Sequence, residues 1–333
     1  MRLMLLLVML LTGGLLQTAY ADGPEPTLKR AIPLPGVSGR IDHLALDPGN
    51  QRLFVAALGN NSLEVIDLAK GERVKSISGL KEPQGVVFVR DAKAVFVASG
   101  GDGVVREYDA MTLEAKGSVK VGDDADNIRL SADGRAVVVG YGSGALAVLD
   151  AATLGKTAEV KLPGHPESFQ LDPGGHLAFI NIPGGLVGGG GAVAVVDLTA
   201  QRVANTWQLK EAGRNFPMAL DAARKRLYIG CRRPARLLVM DTDNGKVIAS
   251  PECIGDADEV FLDDTTGRVL VVGGSWAIDV FEAKDDHVAK VASVKTPGGA
   301  RTGLLISGQR ALFVAVPESG KQGAEIREYA LPD

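Results

Sequence analysis

The sequence predicts an all-β fold, a seven-bladed β-propeller of four-stranded antiparallel blades, closed by an N-terminal strand in the last blade. Three observations carry that prediction. A short apolar strand, acidic at its end in six of seven cases and followed by a turn, recurs as Ser62–Asp67, Val105–Asp109, Ala145–Asp150, Ala192–Asp197, Arg236–Asp241, Ala277–Glu282 and Glu325–Ala330, with successive ends 41 to 48 residues apart. Around these strands the chain alternates apolar and polar residues and turns on Gly, Asp and Asn, as tight hairpins require. The seventh repeat runs out of chain after its third strand, and a strand of matching pattern stands at the other end.

Taken in order, the first 21 residues are set apart from the fold. Arg2 gives a basic start, Leu3 to Leu11 an apolar run and Ala19-Tyr20-Ala21 a small-x-small cleavage site, which together describe a secretory signal peptide. The run is too short to span as a mature helix, and no Cys follows the cleavage site to take a lipid. An uncleaved anchor is the competing reading. The mature chain, residues 22–333, is therefore expected to be one periplasmic or secreted propeller domain, with no membrane association.

Thr27–Pro33 follows, in the pattern of the outer strands Lys75–Leu80 and Ala158–Leu162, and pairing it with the last blade would remove an open edge from the ring. The first blade begins at Ile41. The second is legible strand by strand as Gln84–Val89, Ala94–Ser99, Val104–Asp109 and Glu114–Val121. Blades three to seven repeat that order from Ala125, Pro166, Asn215, Ala257 and Ala300.

The unit Arg52-Leu-Phe-Val-Ala, a Leu-Gly-Asn-Asn turn, Leu-Glu-Val-Ile-Asp and Gly-Glu-Arg-Val resembles the YVTN or YncE-like propellers exported by bacteria. The tetrads here read Phe-Val-Ala-Ala, Phe-Val-Ala-Ser and Tyr-Ile-Gly-Cys, so the name-giving motif itself is altered. The resemblance implies a seven-bladed ring, often of unknown or binding function, and it names no reaction.

Of the 333 residues 46% are hydrophobic and only 5% aromatic, so β-branched and small side chains must fill the core. The formal charge of −4 becomes one unit more negative when the signal leaves. A mildly acidic body argues against a nucleic-acid partner, which needs clustered Lys and Arg.

Propeller geometry places function where the innermost strands start, at the mouth of the central channel. Aligning those starts brings Arg40, Asp42, His43, Gln84, Asp126, Asn127, His165, Glu167, Ser168, Asn215, Asp258, Glu259, Arg301 and Thr302 to one polar funnel. Four carboxylates, Asp42, Asp126, Glu167 and Asp258, occupy corresponding positions, and crowded like charges raise one another's pKa or recruit cations. Arg40, Arg214 and Arg301 stand near enough to offset them. The competing reading is that these groups cap strand ends and hydrogen-bond within a wet channel.

His43, His165 and Glu167 are candidate ligands for a divalent metal ion, the one cofactor the residues suggest. No short-spaced histidine pair occurs, so such a site would depend wholly on the ring. His176 and His287 fall on the opposite face as surface groups. Ser168 and Thr302 lie at the funnel without the Gly-x-Ser-x-Gly elbow of a nucleophile, although His43 or Glu167 could act as a base on water. Haem attachment lacks its Cys-x-x-Cys-His, and Trp207 and Trp276 are too few for a quinone-cofactor propeller. The Gly-rich run from Gly184 to Gly191 resembles a phosphate loop in composition only and reads as an insertion overhanging the mouth.

Cys231 and Cys253, the only cysteines, fall in the fifth blade and are expected to form a disulfide after export. The alternative is a reactive Cys231 activated by Arg232, Arg233 and Arg236. The chain thus reads as a monomer binding a small-molecule or peptide-like ligand at its funnel, without covalent chemistry. A metal-assisted hydrolase or lyase, lactonase-like, and a protein-interaction scaffold are the rivals.

Overall fold

The computed structural model describes residues 24–184, 190–210, 212–284 and 287–333. They form seven four-stranded antiparallel sheets. Six consist of consecutive strands, and the seventh joins Thr302–Ile306, Ala311–Val316 and Glu325–Ala330 to the N-terminal strand Thr27–Pro33. The only helical segments among the described residues are two three-residue 3-10 turns, Leu58–Asn60 and Ser307–Gln309. None of the described helices is long and apolar enough to cross a membrane. The expected signal peptide lies outside the described residues.

The acid that ends the third strand recurs because it builds the next turn. The Asp67 carboxylate accepts from the Lys70 amide, that of Asp109 from Met111 and Thr112, that of Asp150 from Ala152 and Thr153, that of Asp197 from Ala200 and that of Asp241 from Asp243. A short acidic side chain that satisfies turn amides competes well with continued strand at that point. The sequence repeat is therefore a repeat of turn chemistry.

The apolar face of each blade packs on the next, giving seven separate cores between neighbours rather than one central core. The core that closes the ring takes Ile32 and Leu34 from the N-terminal segment between Phe313 and Ile326 of blade 7 and Val55 of blade 1. Arg30 reinforces it, pairing with Glu328 at 2.5 Å and donating to the Leu68 carbonyl at 2.8 Å. The N-terminal strand thus joins first and last blades.

Two expectations change. The disulfide is absent: Cys231 and Cys253 are free and buried. They lie on opposite faces of the blade-5 sheet, Cys231 in the core shared with blade 4 and Cys253 in the core shared with blade 6. Burial pushes both thiols up to about 12, so the reactive alternative also fails, because Arg232 turns away to other partners. The Gly-rich run is described only at Gly184, Gly190 and Gly191, with its middle outside the described residues.

Candidate functional site

The mouth is built by a local irregularity repeated around the ring. A residue of positive φ ends the crossing from the previous blade: Gly39, Glu82, Asp124, Arg214, Asp256 and Gly299. Just after it, the inner strand's register slips between Pro83 and Val86, Ala125 and Ile128, Asn215 and Met218, and Ala257 and Glu259. Bulges re-aim side chains that regular pleating would turn into a blade interface. Here they release Gln84, Asp126 and Asp258 from the ladder.

Asp258 is the hub. It meets Arg232 at 2.5 Å, Arg301 at 2.9 Å and Arg40 at 3.7 Å. Arg40 also pairs with the buried Asp42 at 2.9 Å, and Arg232 and Arg301 reach Asp256 at 3.3 and 3.0 Å. The Arg232 guanidinium lies 4.0 Å from the Phe216 ring centroid, a cation–π contact that fixes its plane. Burial raises the pKa of Asp258 while the three arginines oppose it.

Below the hub His43 Nδ1 meets Glu259 at 2.8 Å, with Nε2 3.8 Å from Asp42. Burial by itself would lower the imidazole pKa, but Glu259, Asp42 and Asp126 outweigh it and hold His43 at about 9. This pair closes the floor of the funnel.

The opposite side is acidic, with Arg40, His43 and Arg232 acting on it only at longer range. Asp126 forms no ion pair among the described residues, and its nearest polar contact is the Asn127 amide at 3.5 Å. Burial, then repulsion from Asp42, pushes its carboxyl up to about 7. Glu167 meets only His165, at 3.7 Å; burial and the charges of Asp126, Asp258 and Asp42 push it up to about 9. His165 Nδ1 donates to the Gly142 carbonyl at 2.7 Å, which turns Nε2 toward Glu167 at 3.7 Å. One ligand atom from each of Asp126, His165 and Glu167 lies within 4.8 Å of the others, a set that suits a divalent ion.

The predicted residues therefore divide. Arg40, Asp42, His43, Asp126, His165, Glu167, Asp258, Glu259 and Arg301 gather at the mouth, and Gln84 borders it by donating to Asp124 at 3.2 Å. Asn215 does not line the funnel: fully buried, it donates to Asn181 and to the Ala192 carbonyl, both at 2.9 Å. Thr302 is likewise consumed, its hydroxyl donating to the Ile41 carbonyl at 3.1 Å. Ser168 is buried, and its main chain ties blade 4 to Phe216. His43 is bound up with Glu259, so Asp126 rather than His43 completes the metal candidate set.

Arg232, Asp256 and Trp276 were not singled out by sequence for this site. Arg232 ends a second strand, whose following loop opens at the mouth, and Asp256-Ala-Asp258 repeats Asp124-Ala-Asp126. Trp276, 68% exposed with φ of 70°, sits in the corresponding loop of blade 6, next to Gly274, whose amide donates to the Asp256 carbonyl.

The model of a family described as the Cytochrome D1 heme domain matches residues 47–168, about a third of the chain. A search among curated proteins found no match. Among solved structures the chain is similar to one of Kuenenia stuttgartiensis hydrazine synthase, at 15% identity and TM-score 0.74 over 85% of this chain and 95% of that one. It is also similar to a chain of a mitotic checkpoint complex, at 11% identity and TM-score 0.77 over 100% and 99%. At such identities these likenesses show the fold.

The funnel does not fit a haem. A macrocycle needs a free axial ligand beside a flat apolar slot. His43 is held between carboxylates, and the space before His165 Nε2 is occupied by the oxygens of Asp126 and Glu167.

Proposed function

We propose that this protein is an exported ligand-binding propeller whose funnel takes a small or peptide-like ligand carrying a positive charge, without covalent chemistry. One observation carries the reading: the arginines of the funnel are paired with Asp42, Asp256 and Asp258, whereas Asp126 and Glu167 form no ion pair with Lys or Arg among the described residues and feel Arg40, His43 and Arg232 only at longer range. Buried carboxylates without counter-charge are costly, and a ligand ammonium or guanidinium offsets that cost on binding. Trp276 at the rim offers a flat apolar surface beside the charges. Export rests on residues 1–21 and on the resemblance to YVTN or YncE-like propellers; a mature N-terminus at Asp22 would support it.

Native mass spectrometry of the purified full chain tests the binding. A small adduct on the parent, absent from the D126N/E167Q double variant, is expected; an adduct retained in full by that variant overturns the reading.

A second reading has its own observation in the compact Asp126, His165 and Glu167 set. An ion there would leave coordination positions open and would activate water for a hydrolase or lyase. Stoichiometric metal in the parent, lost in His165→Gln, would favour it over simple capture.

A further inference from the structure

From the His43–Glu259 pair, which lines its inner end, the channel continues as a cavity of about 580 Å³. All seven inner strands line it, and its wall is mostly apolar: Leu46, Phe88, Phe261, Leu304 and Ile306 are among the side chains that keep part of their surface open. Central channels of propellers are usually wet, and a wall of this composition gains nothing from water.

The inner end carries the informative group. Arg129 lines the cavity and donates from Nη1 to the Ile128 carbonyl at 2.9 Å, with its guanidinium 5.7 Å from the Phe169 ring centroid. It makes no ion pair among the described residues. The nearest acid on the cavity wall, Glu259, is already held by His43 at 2.8 Å. The Gln170 amide, which also lines the cavity, donates to the Met218 carbonyl at 2.8 Å. A guanidinium has five N–H donors, so most of those on Arg129 remain unspent at the end of an apolar tunnel.

We propose that this lower channel is a second binding site, one that takes a small amphipathic carboxylate, with its anionic head on Arg129 and its apolar body along the inner strands. A cavity of this size and lining, with one charge outside the His43–Glu259 pair, has the form of a small-molecule site, and guanidinium to carboxylate is the bidentate pairing that fixes orientation. The ligand class differs in charge from the one proposed for the funnel, and neither site depends on the other.

Isothermal titration of the full chain with octanoate, octanol and octylamine tests the assignment. Saturable octanoate binding is expected, at least tenfold tighter than octanol, with octylamine weakest, because a charged hydrogen-bonded pair is worth about ten- to a hundredfold in affinity. Arg129→Gln should weaken octanoate by about that factor and leave octanol unchanged. The probe comparison on the parent stands even if the variant misfolds. Absence of saturable octanoate binding, equal affinity for octanoate and octanol, or unchanged octanoate binding in a folded Arg129→Gln variant would each overturn the proposal.

Discussion

At the scale of single residues, the funnel concentrates its strain in a few titrating groups, and their signs agree. His43 is raised to about 9, so its contribution to stability is complete below its ordinary value of 6.5 and is lost as pH rises through 9. Asp126 and Glu167 are raised to about 7 and about 9, so the folded state keeps protons that the unfolded chain has released, and each ionisation costs stability as pH rises. Chemical denaturation should therefore show stability falling from pH 5 to pH 9, with a flatter dependence in D126N/E167Q. A rise across that range would mean that the acids are compensated in the fold. Asp258 differs in being paired: replacing it with Ala leaves Arg40 with Asp42 alone and Arg232 and Arg301 with Asp256 alone, and a loss of about 1.5–3 kcal/mol is expected by urea denaturation. The cysteines give a simple check, because two thiols should titrate in non-reduced, unfolded protein and react slowly in the native state.

At the scale of elements, the blade was legible and the mouth only in part. Repeating turn acids such as Asp109 and Asp150 mark five of the seven third-strand ends because local hydrogen bonds make them so, and local chemistry is what a sequence records best. Thr27–Pro33 was recognisable for the same reason, as an alternating strand with no partner of its own. What spacing could not convey is which polar side chain at a strand start faces the channel. The slips at Asn215–Met218 and Ala257–Glu259 look alike in sequence, yet one buries Asn215 between blades and the other delivers Asp258 to three arginines. The cysteine pairing failed on a related point, since a sheet has two faces and the strand position alone did not separate them. Ile32 is wholly buried in the closing core. Ile32→Ala should cost about 2–5 kcal/mol, and deletion of Thr27–Pro33 should depress the melting temperature far more. A truncated chain melting with the parent would contradict the closure.

At the scale of the whole molecule, seven cores around a ring make a rigid frame whose axis alone is free for function, with the charged funnel at one end and the apolar channel at the other. The frame tolerates the buried acids Asp126 and Glu167, whose ionisation it resists, because stability is distributed over every blade interface. A site held at a cost to folding is the central claim, since functional sites commonly carry such costs. The most direct test is the melting temperature of ligand-free D126N/E167Q at pH 8 against the parent. The account predicts a rise of a few degrees, as the buried Asp126 charge and the cost of keeping Glu167 protonated at that pH are both removed. A fall of several degrees would contradict it, because it would show these carboxylates serving the fold rather than a ligand.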